Sequence, residues 1–281
     1  MIDQGEIRRH AGVIGVDPMI INHDYVMSCF LHYLSIQDDA QKSWVFKGGT
    51  SLAKCYFENY RFSEDLVFTV LQPITEVSLI KVVNSAKKVM QDDIGIRTDV
   101  EKTRVEVIED DYGEESLEAK FYYQGPWAYG GSQRSVRIHT NRDEKIVFPI
   151  ETKSLIHGFS DRSILPKTSI KVYSLEEIFV EKLRALSGQR RYAISRDIFD
   201  IHFLSSKGVQ VNVVTDAFEE KCRIKSINLS QISIEKVKSR KEEYRTNWKN
   251  HLEYLIPKNL KVTFDEAWDT SITLLGKTIK S

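Results

Sequence analysis

Apolar positions along this chain follow two different periods. Up to about residue 170, short apolar or alternating runs are separated by glycine, proline and acidic turns, a strand-like pattern. Beyond that point, apolar residues recur every three or four positions, as they do in helices. Residues 1–21 carry no strong periodicity. Asp24 can cap a helix over 25–34, where Val26, Met27, Phe30, Leu31 and Leu34 share helical spacing. Trp44 to Phe46 reads as a strand, Gly48 and Gly49 as a turn, 50–60 as a helix, and Asp65 as the start of a second strand. After Pro73, residues 75–91 form an amphipathic pattern with Val77, Leu79, Ile80, Val83 and Val89. Further strands are predicted over 98–108, 117–123, 135–141 and 145–152, Pro149 marking an edge or a bulge in the last. Asp110-Asp-Tyr-Gly-Glu-Glu and Gly130-Gly-Ser read as loops, and 158–166 as irregular surface.

In the helical part, Ser174-Leu-Glu-Glu opens a helix with a capping box between Ser174 and Glu177. Leu175, Ile178, Phe179, Leu183 and Leu186 form its apolar stripe, and Lys182 falls on that stripe. Such a lysine either snorkels to water or reaches a buried carboxylate or phosphate. After the linker Ser187-Gly-Gln-Arg-Arg-Tyr, Asp197 and Asp200 share a helical face with Ile201 and Leu204. An acid on a core face needs a partner, because an unpaired buried charge is costly. Lys182 is the natural candidate. Helices are also predicted over 212–222 and 233–255, and Thr263-Phe-Asp-Glu opens a last one to about 275. The expected fold is α/β (α+β): a mixed sheet with helices over 1–170, then a helical domain over 171–281. The cleft between them is the default site.

Composition narrows the function classes. Forty basic and forty acidic residues among 281 give no net charge, so a nucleic-acid surface would have to be local. The best basic patch is Lys182, Arg184, Arg190, Arg191 and Arg196. Cys29, Cys55 and Cys222 are widely spaced with no zinc pattern, which fits a reducing cytoplasm. The N-terminal residues do not form a secretory signal, and no apolar run approaches the ~20 residues of a membrane span. A soluble cytoplasmic protein is expected.

Residues 44–70 carry the candidate chemistry. A strand, glycine turn and helix start present free backbone N–H groups to an anion. Asp65, at the start of the next strand, can hold a metal. Alone, the stretch reads more simply as a strand–turn–helix with one solvated acid. Lys182 and Asp197 downstream are what alter that reading.

Phe46-Lys-Gly-Gly-Thr-Ser-Leu-Ala-Lys, Arg61-Phe-Ser-Glu-Asp-Leu-x-Phe, Ser174-Leu-Glu-Glu-Ile-Phe-Val-Glu-Lys-Leu-Arg-Ala-Leu and Arg196-Asp-Ile-Phe-Asp-Ile occur in this order over roughly 22–205. Together they resemble the AbiEii/AbiGii and MenT-type family of nucleotidyltransferase-like toxins. The resemblance implies a polymerase-β-like nucleotidyltransferase core and a helical C-terminal domain. It also implies an NTP substrate, Mg²⁺ or Mn²⁺, a tRNA, other RNA or protein acceptor, a cognate antitoxin and a role in phage defence. By the same resemblance, Gly48, Gly49 and Thr50 match the phosphate-cradling turn. Ser63 and Asp65 match the serine and first aspartate of an S-x-D-x-D pattern, Lys182 the phosphate-contacting lysine, and Asp197 the aspartate of R-D-x-x-D. The chain departs from the pattern at Val67, where the second aspartate is expected. Two positions compete for the third carboxylate. Glu151 has the right chemistry and lies nearer the Ser174 helix; His139 is the other. A homologue that keeps the nucleotide pocket without turnover is the alternative function.

Overall fold

A computed structural model describes residues 1–99, 102–109, 115–127, 134–142 and 144–280. The acidic loop at 110–114 and the glycine loop at 130–132 fall outside these residues. Helix α1 (Gln4–Ile14) starts at Asp3, whose side chain accepts from the Glu6 amide, and ends at Gly15 with φ 79°. Glycine there avoids the left-handed penalty. Helix α2 (Pro18–Ser35) is capped by Asp17, with Pro18 in its first turn. Asp24 therefore lies inside α2 rather than capping it, and its carboxylate pairs with Lys54 at 2.7 Å. Every α2 residue from Ile20 onward is buried except Asp24. A helix apolar on nearly all sides belongs in a core.

Helix α3 (Asp38–Ser43) leads into β1 (Trp44–Lys47), then α4 (Gly48–Ser51), which widens into a π-type turn over Leu52–Tyr56. Strand β2 (Asp65–Val70) and helix α5 (Glu76–Ile94) follow. Thr75 and Ser78 cap α5 reciprocally, while Val77 faces solvent. Next come β3 (Arg97–Thr98), β4 (Arg104–Glu109), β5 (Glu115–Gln124), β6 (Arg134–Asn141), β7 (Glu151–Ser154) and β8 (Ser169–Val172). The strand expected over 145–152 is shorter and later than its apolar run suggests. Its earlier part is held by α6 (Leu175–Arg184), where Glu177 Oε2 accepts from the Val147 and Phe148 amides at 2.9 and 2.7 Å. Pro149 cannot donate to a strand partner.

The strands form one mixed sheet in the order β3-β5-β6-β2-β1-β8-β7, with β4 also on β5. β2 is antiparallel to β1 and parallel to β6; β8 is parallel to β1. Successive strand residues face opposite sides. Phe46, Leu66 and Phe68 therefore join a cluster with α2 and α5, while Val45 joins a second cluster with the C-terminal helices. Lys47, Asp65 and Val67 share the side that faces those helices. β1 is buried along its whole length.

Helix α6 continues through a π-type turn over Ala185–Gln189 to α7 (Ser195–Ser206) and α8 (Val211–Ile224). Ser174 accepts from the Glu177 amide, but Glu177 turns to the 147–148 segment instead of closing the capping box. The long helix expected over 233–255 is broken into α9 (Ile234–Lys238) and α10 (Lys241–His251). No glycine or proline marks the break. The Arg240 guanidinium instead donates to the Arg190 and Arg191 carbonyls at 3.0 and 3.3 Å. Helix α11 (Phe264–Lys280) opens on a complete Thr263–Glu266 capping box, as expected. Among the described residues, no helix is long and apolar enough to cross a membrane.

Candidate active site

A cleft of about 330 Å³ lies between the β1–α4 turn with β2 and β6 on one side and α6 with α7 on the other. Gly48, Gly49, Thr50, Ser63, Asp65, Lys182 and Asp197 all line it. The structure thus brings together every expected site residue except Glu151. Gly48 has φ 78°, which lets β1 turn sharply into α4. Gly49 has a different reason: a Cβ there would stand 2.2 Å from Arg61 NH2. Thr50 is buried, and its hydroxyl donates to the Asp65 carbonyl at 2.5 Å and lies 2.7 Å from Ser63 Oγ. It locks the turn to the start of β2, where Gly48, Gly49 and Ser63 line the cleft.

The opposite wall is built on buried charge. Lys182 Nζ lies 2.7 Å from Asp197 Oδ1 and 3.0 Å from Asp200 Oδ2. Its place on the apolar stripe therefore reflects a buried partner, not snorkelling. Asp197 Oδ2 also receives Arg190 at 2.9 Å. Arg61 donates to both Asp200 oxygens, at 2.7 and 2.8 Å, and the Tyr60 hydroxyl donates to Asp200 Oδ1 at 2.5 Å. Burial pushes both aspartates up; Arg190 and Lys182 outweigh it at Asp197, Arg61 and Lys182 at Asp200. Both carboxyls are held below the usual range. A second charged cluster closes the base of the cleft. Lys221 reaches Glu177 at 2.5 Å, Glu144 at 3.0 Å and Glu181 at 3.2 Å, while Lys47 reaches Glu181 at 3.4 Å. Burial pushes Glu181 up, but Lys47, Lys221 and Arg184 outweigh it and hold the acid ionised.

Glu151 is the correction. It lies on β7, which the sheet order separates from β2 by β8 and β1, and its carboxylate pairs with Lys153 at 2.7 Å. Distance along the chain suggested proximity to the site, but strand order sets the actual neighbours. His139 takes the position beside β2 instead, in register with Val67. Its Nε2 lies 3.3 Å from Glu118 Oε2 on β5. Asp65 Oδ1 is buried without a hydrogen-bond partner, and Arg137 Nε stands 3.5 Å away. An orphaned carboxylate oxygen fits a hard divalent cation shared with phosphate oxygens. Valine and a carboxylate-paired histidine do not fit the carboxylate clamp of a two-cation site.

Among the described residues, one other cluster has metal-ligand composition: Cys29, His157 and Asp161, all buried. Its groups already satisfy one another. His157 is bonded to Asp161 Oδ1 and to Ser28 Oγ, each at 2.9 Å, and Tyr25 donates to Asp161 Oδ2 at 2.6 Å. Burial pushes the Cys29 thiol far up, so it is inert. The network fastens α2 to the segment around 157–161.

Sequence reasoning missed Arg61, Arg137 and the Lys47–Glu181 pair. Arg61 left one signal, its place inside the motif that contains Asp65. Its partner lies on α7, and no local spacing connects the two.

Comparison with solved structures gives fold-level neighbours. The MenT4 nucleotidyltransferase toxin of Mycobacterium tuberculosis H37Rv superposes with TM-score 0.58 at 18% identity, covering 100% of this chain and 99% of that one. A putative nucleotidyltransferase from Helicobacter pylori gives 0.53 at 17%, over 94% and 96%. JHP933 from Helicobacter pylori gives 0.51 at 19%, over 94% of each. A search of curated proteins found no match. The family model described as nucleotidyl transferase AbiEii toxin, type IV toxin–antitoxin system, matches residues 32–270. The mixed sheet, the glycine turn against Asp65 and the lysine–aspartate wall are thus those of a chain that belongs to the AbiEii family of nucleotidyl transferase toxins.

Proposed function

We propose that this chain binds a nucleoside triphosphate in the cleft and transfers its nucleotidyl group to an RNA, tRNA included, or to a protein acceptor. The single observation that supports this most is convergence: Gly48, Gly49, Ser63 and Asp65 face Lys182 and Asp197 across one cleft. In the reaction, an acceptor hydroxyl oxygen bonds to the α-phosphorus, pyrophosphate leaves with the cleaved P–O bond, and the hydroxyl proton passes to a base or solvent. The amides of the glycine turn and Ser63 would orient the triphosphate. Lys182 would offset its charge. Asp197 is held below the usual carboxylate range, which makes it a weak base and favours a positioning role on Lys182. Asp65 would hold Mg²⁺ or Mn²⁺ jointly with phosphate oxygens, and that ion supplies Lewis-acid charge stabilisation.

In this reading residues 1–170 carry the glycine turn and Asp65, and residues 171–281 carry the lysine–aspartate wall. The protein would act in the cytoplasm, in phage defence, under control of a cognate antitoxin. A second reading, nucleotide binding without turnover, is favoured by one observation: Val67 and His139 stand where carboxylates are expected. Titration with fluorescent analogues of the four ribonucleoside triphosphates tests the site. Lys182→Met should weaken binding by about tenfold or more (~1.4 kcal/mol). Unchanged affinity would remove the nucleotide from this cleft.

A further inference from the structure

Strand register sorts the cleft side of the sheet into rows, because residues paired across strands project from the same face. One row runs Lys47, Val67, His139, Glu118, and the next places Asp65 beside Arg137. The positions around Asp65 therefore hold a valine, a histidine engaged by Glu118, and an arginine. Most cations lining the cleft are committed: Lys47 to Glu181, Arg61 to Asp200, Lys182 to both aspartates, Arg184 to Glu144, Arg190 to Asp197. Two at or beside the cleft are not. The exposed Arg137 side chain stands beside the cleft on β6, with no hydrogen bond among the described residues, and its one ion-pair contact is the cleft residue Asp65 at 3.5 Å. Arg196 lines the cleft in the first turn of α7 and has neither hydrogen bond nor ion pair among the described residues.

Given the nucleotide site proposed above, on which this rests, we infer that Arg137 and Arg196 take the phosphate charge that a second cation neutralises in a two-metal site. Nucleotide binding by this chain then does not depend on divalent metal, and the ion proposed at Asp65 serves the transfer step rather than ground-state affinity. A guanidinium suits the role, since its fork of N–H donors matches phosphate oxygens and its charge is permanent. Arg137 would meet the phosphates from the Asp65 side and Arg196 from the α7 side.

The test uses the full chain and fluorescent derivatives of the four ribonucleoside triphosphates, titrated in Mg²⁺ and in EDTA. Arg137→Gln, Arg196→Gln and Val67→Asp are compared, with thermal melting as the folding control. The wild-type affinity should change by less than about threefold between the two conditions, and each arginine variant should bind about tenfold more weakly in EDTA. Val67→Asp, which adds a carboxylate, should bind better in Mg²⁺ than in EDTA. Binding lost on chelation of the wild type, or arginine variants that bind normally in EDTA, would overturn the inference while leaving the nucleotide site standing. A folded wild-type chain that binds no nucleotide in either condition would defeat the site itself.

Discussion

Arg61 grips Asp200 with two hydrogen bonds, Nε to Oδ1 at 2.7 Å and NH2 to Oδ2 at 2.8 Å, both side chains sealed from solvent. This pair fastens the chain under the glycine turn to α7 and so sets the width of the cleft. Removing the Asp200 charge leaves Arg61 as a buried unpaired cation, and removing Arg61 leaves the buried Asp200 only Lys182 at 3.0 Å and the Tyr60 hydroxyl. Arg61→Ala and Asp200→Asn should each lower stability by about 3–5 kcal/mol in urea unfolding. Arg61→Lys should recover only part of the loss, because an ammonium cannot make the two-pronged contact.

The two glycines of the turn should fail for different reasons. Gly48→Ala meets no atom closer than Val67 Cβ at 4.0 Å, so its cost is the left-handed backbone, about 1–2 kcal/mol. Gly49→Ala drives a methyl into the Arg61 guanidinium and should cost about 1–3 kcal/mol. Combined with Arg61→Ala, the Gly49 cost should vanish while the Gly48 cost persists. A double-mutant cycle measures the difference.

Lys182 should separate stability from function. Asp197 keeps Arg190 at 2.9 Å and Asp200 keeps Arg61 at 2.7 Å when the lysine is removed. Lys182→Met should therefore lose only about 1–3 kcal/mol in unfolding, less than Arg61→Ala, and fold normally by circular dichroism. Collapse of the fold in Lys182→Met would show that the lysine is structural.

His32 makes stability depend on pH. It is buried, its Nδ1–H donates to the Ser28 carbonyl at 2.8 Å, and desolvation pushes its pKa down to about 4. The unfolded chain takes up this proton near pH ~6.5, the folded chain only near 4, so acid favours unfolding. Its contribution is fully present above about 6.5 and is lost as pH falls toward 4, up to about 3 kcal/mol. Burial lowers His23 as well, which adds a slope of the same sign. Urea unfolding across this window should show a shallower decline for His32→Gln than for the wild type.

The strand–turn–helix around Gly48 was legible because it follows from local spacing, and the Lys182–Asp197 pair because a lysine and an acid on apolar helix faces each need a partner. The core of α2 was visible in its apolar run, but its start was not: Asp17 and Asp24 are both plausible caps, and the apolar run does not decide between them. Glu151 was misplaced because the order β7-β8-β1-β2 is a property of strand pairing, not of any one segment. Arg61 and Asp200 each sit in a readable motif, yet nothing local says that the two motifs touch. The break at Arg240 depends on carbonyls of the 190–191 linker, equally remote in sequence.

The most direct test of a nucleotidyl-transfer centre on Asp65 is the transfer of α-labelled nucleoside triphosphate to total RNA and protein. Wild type, Val67→Asp and Asp65→Asn are compared side by side. Label should appear on an acceptor, stronger with Val67→Asp than with the wild type and absent with Asp65→Asn. Label from neither the wild type nor Val67→Asp, or label that survives Asp65→Asn, would contradict a transfer centre on Asp65.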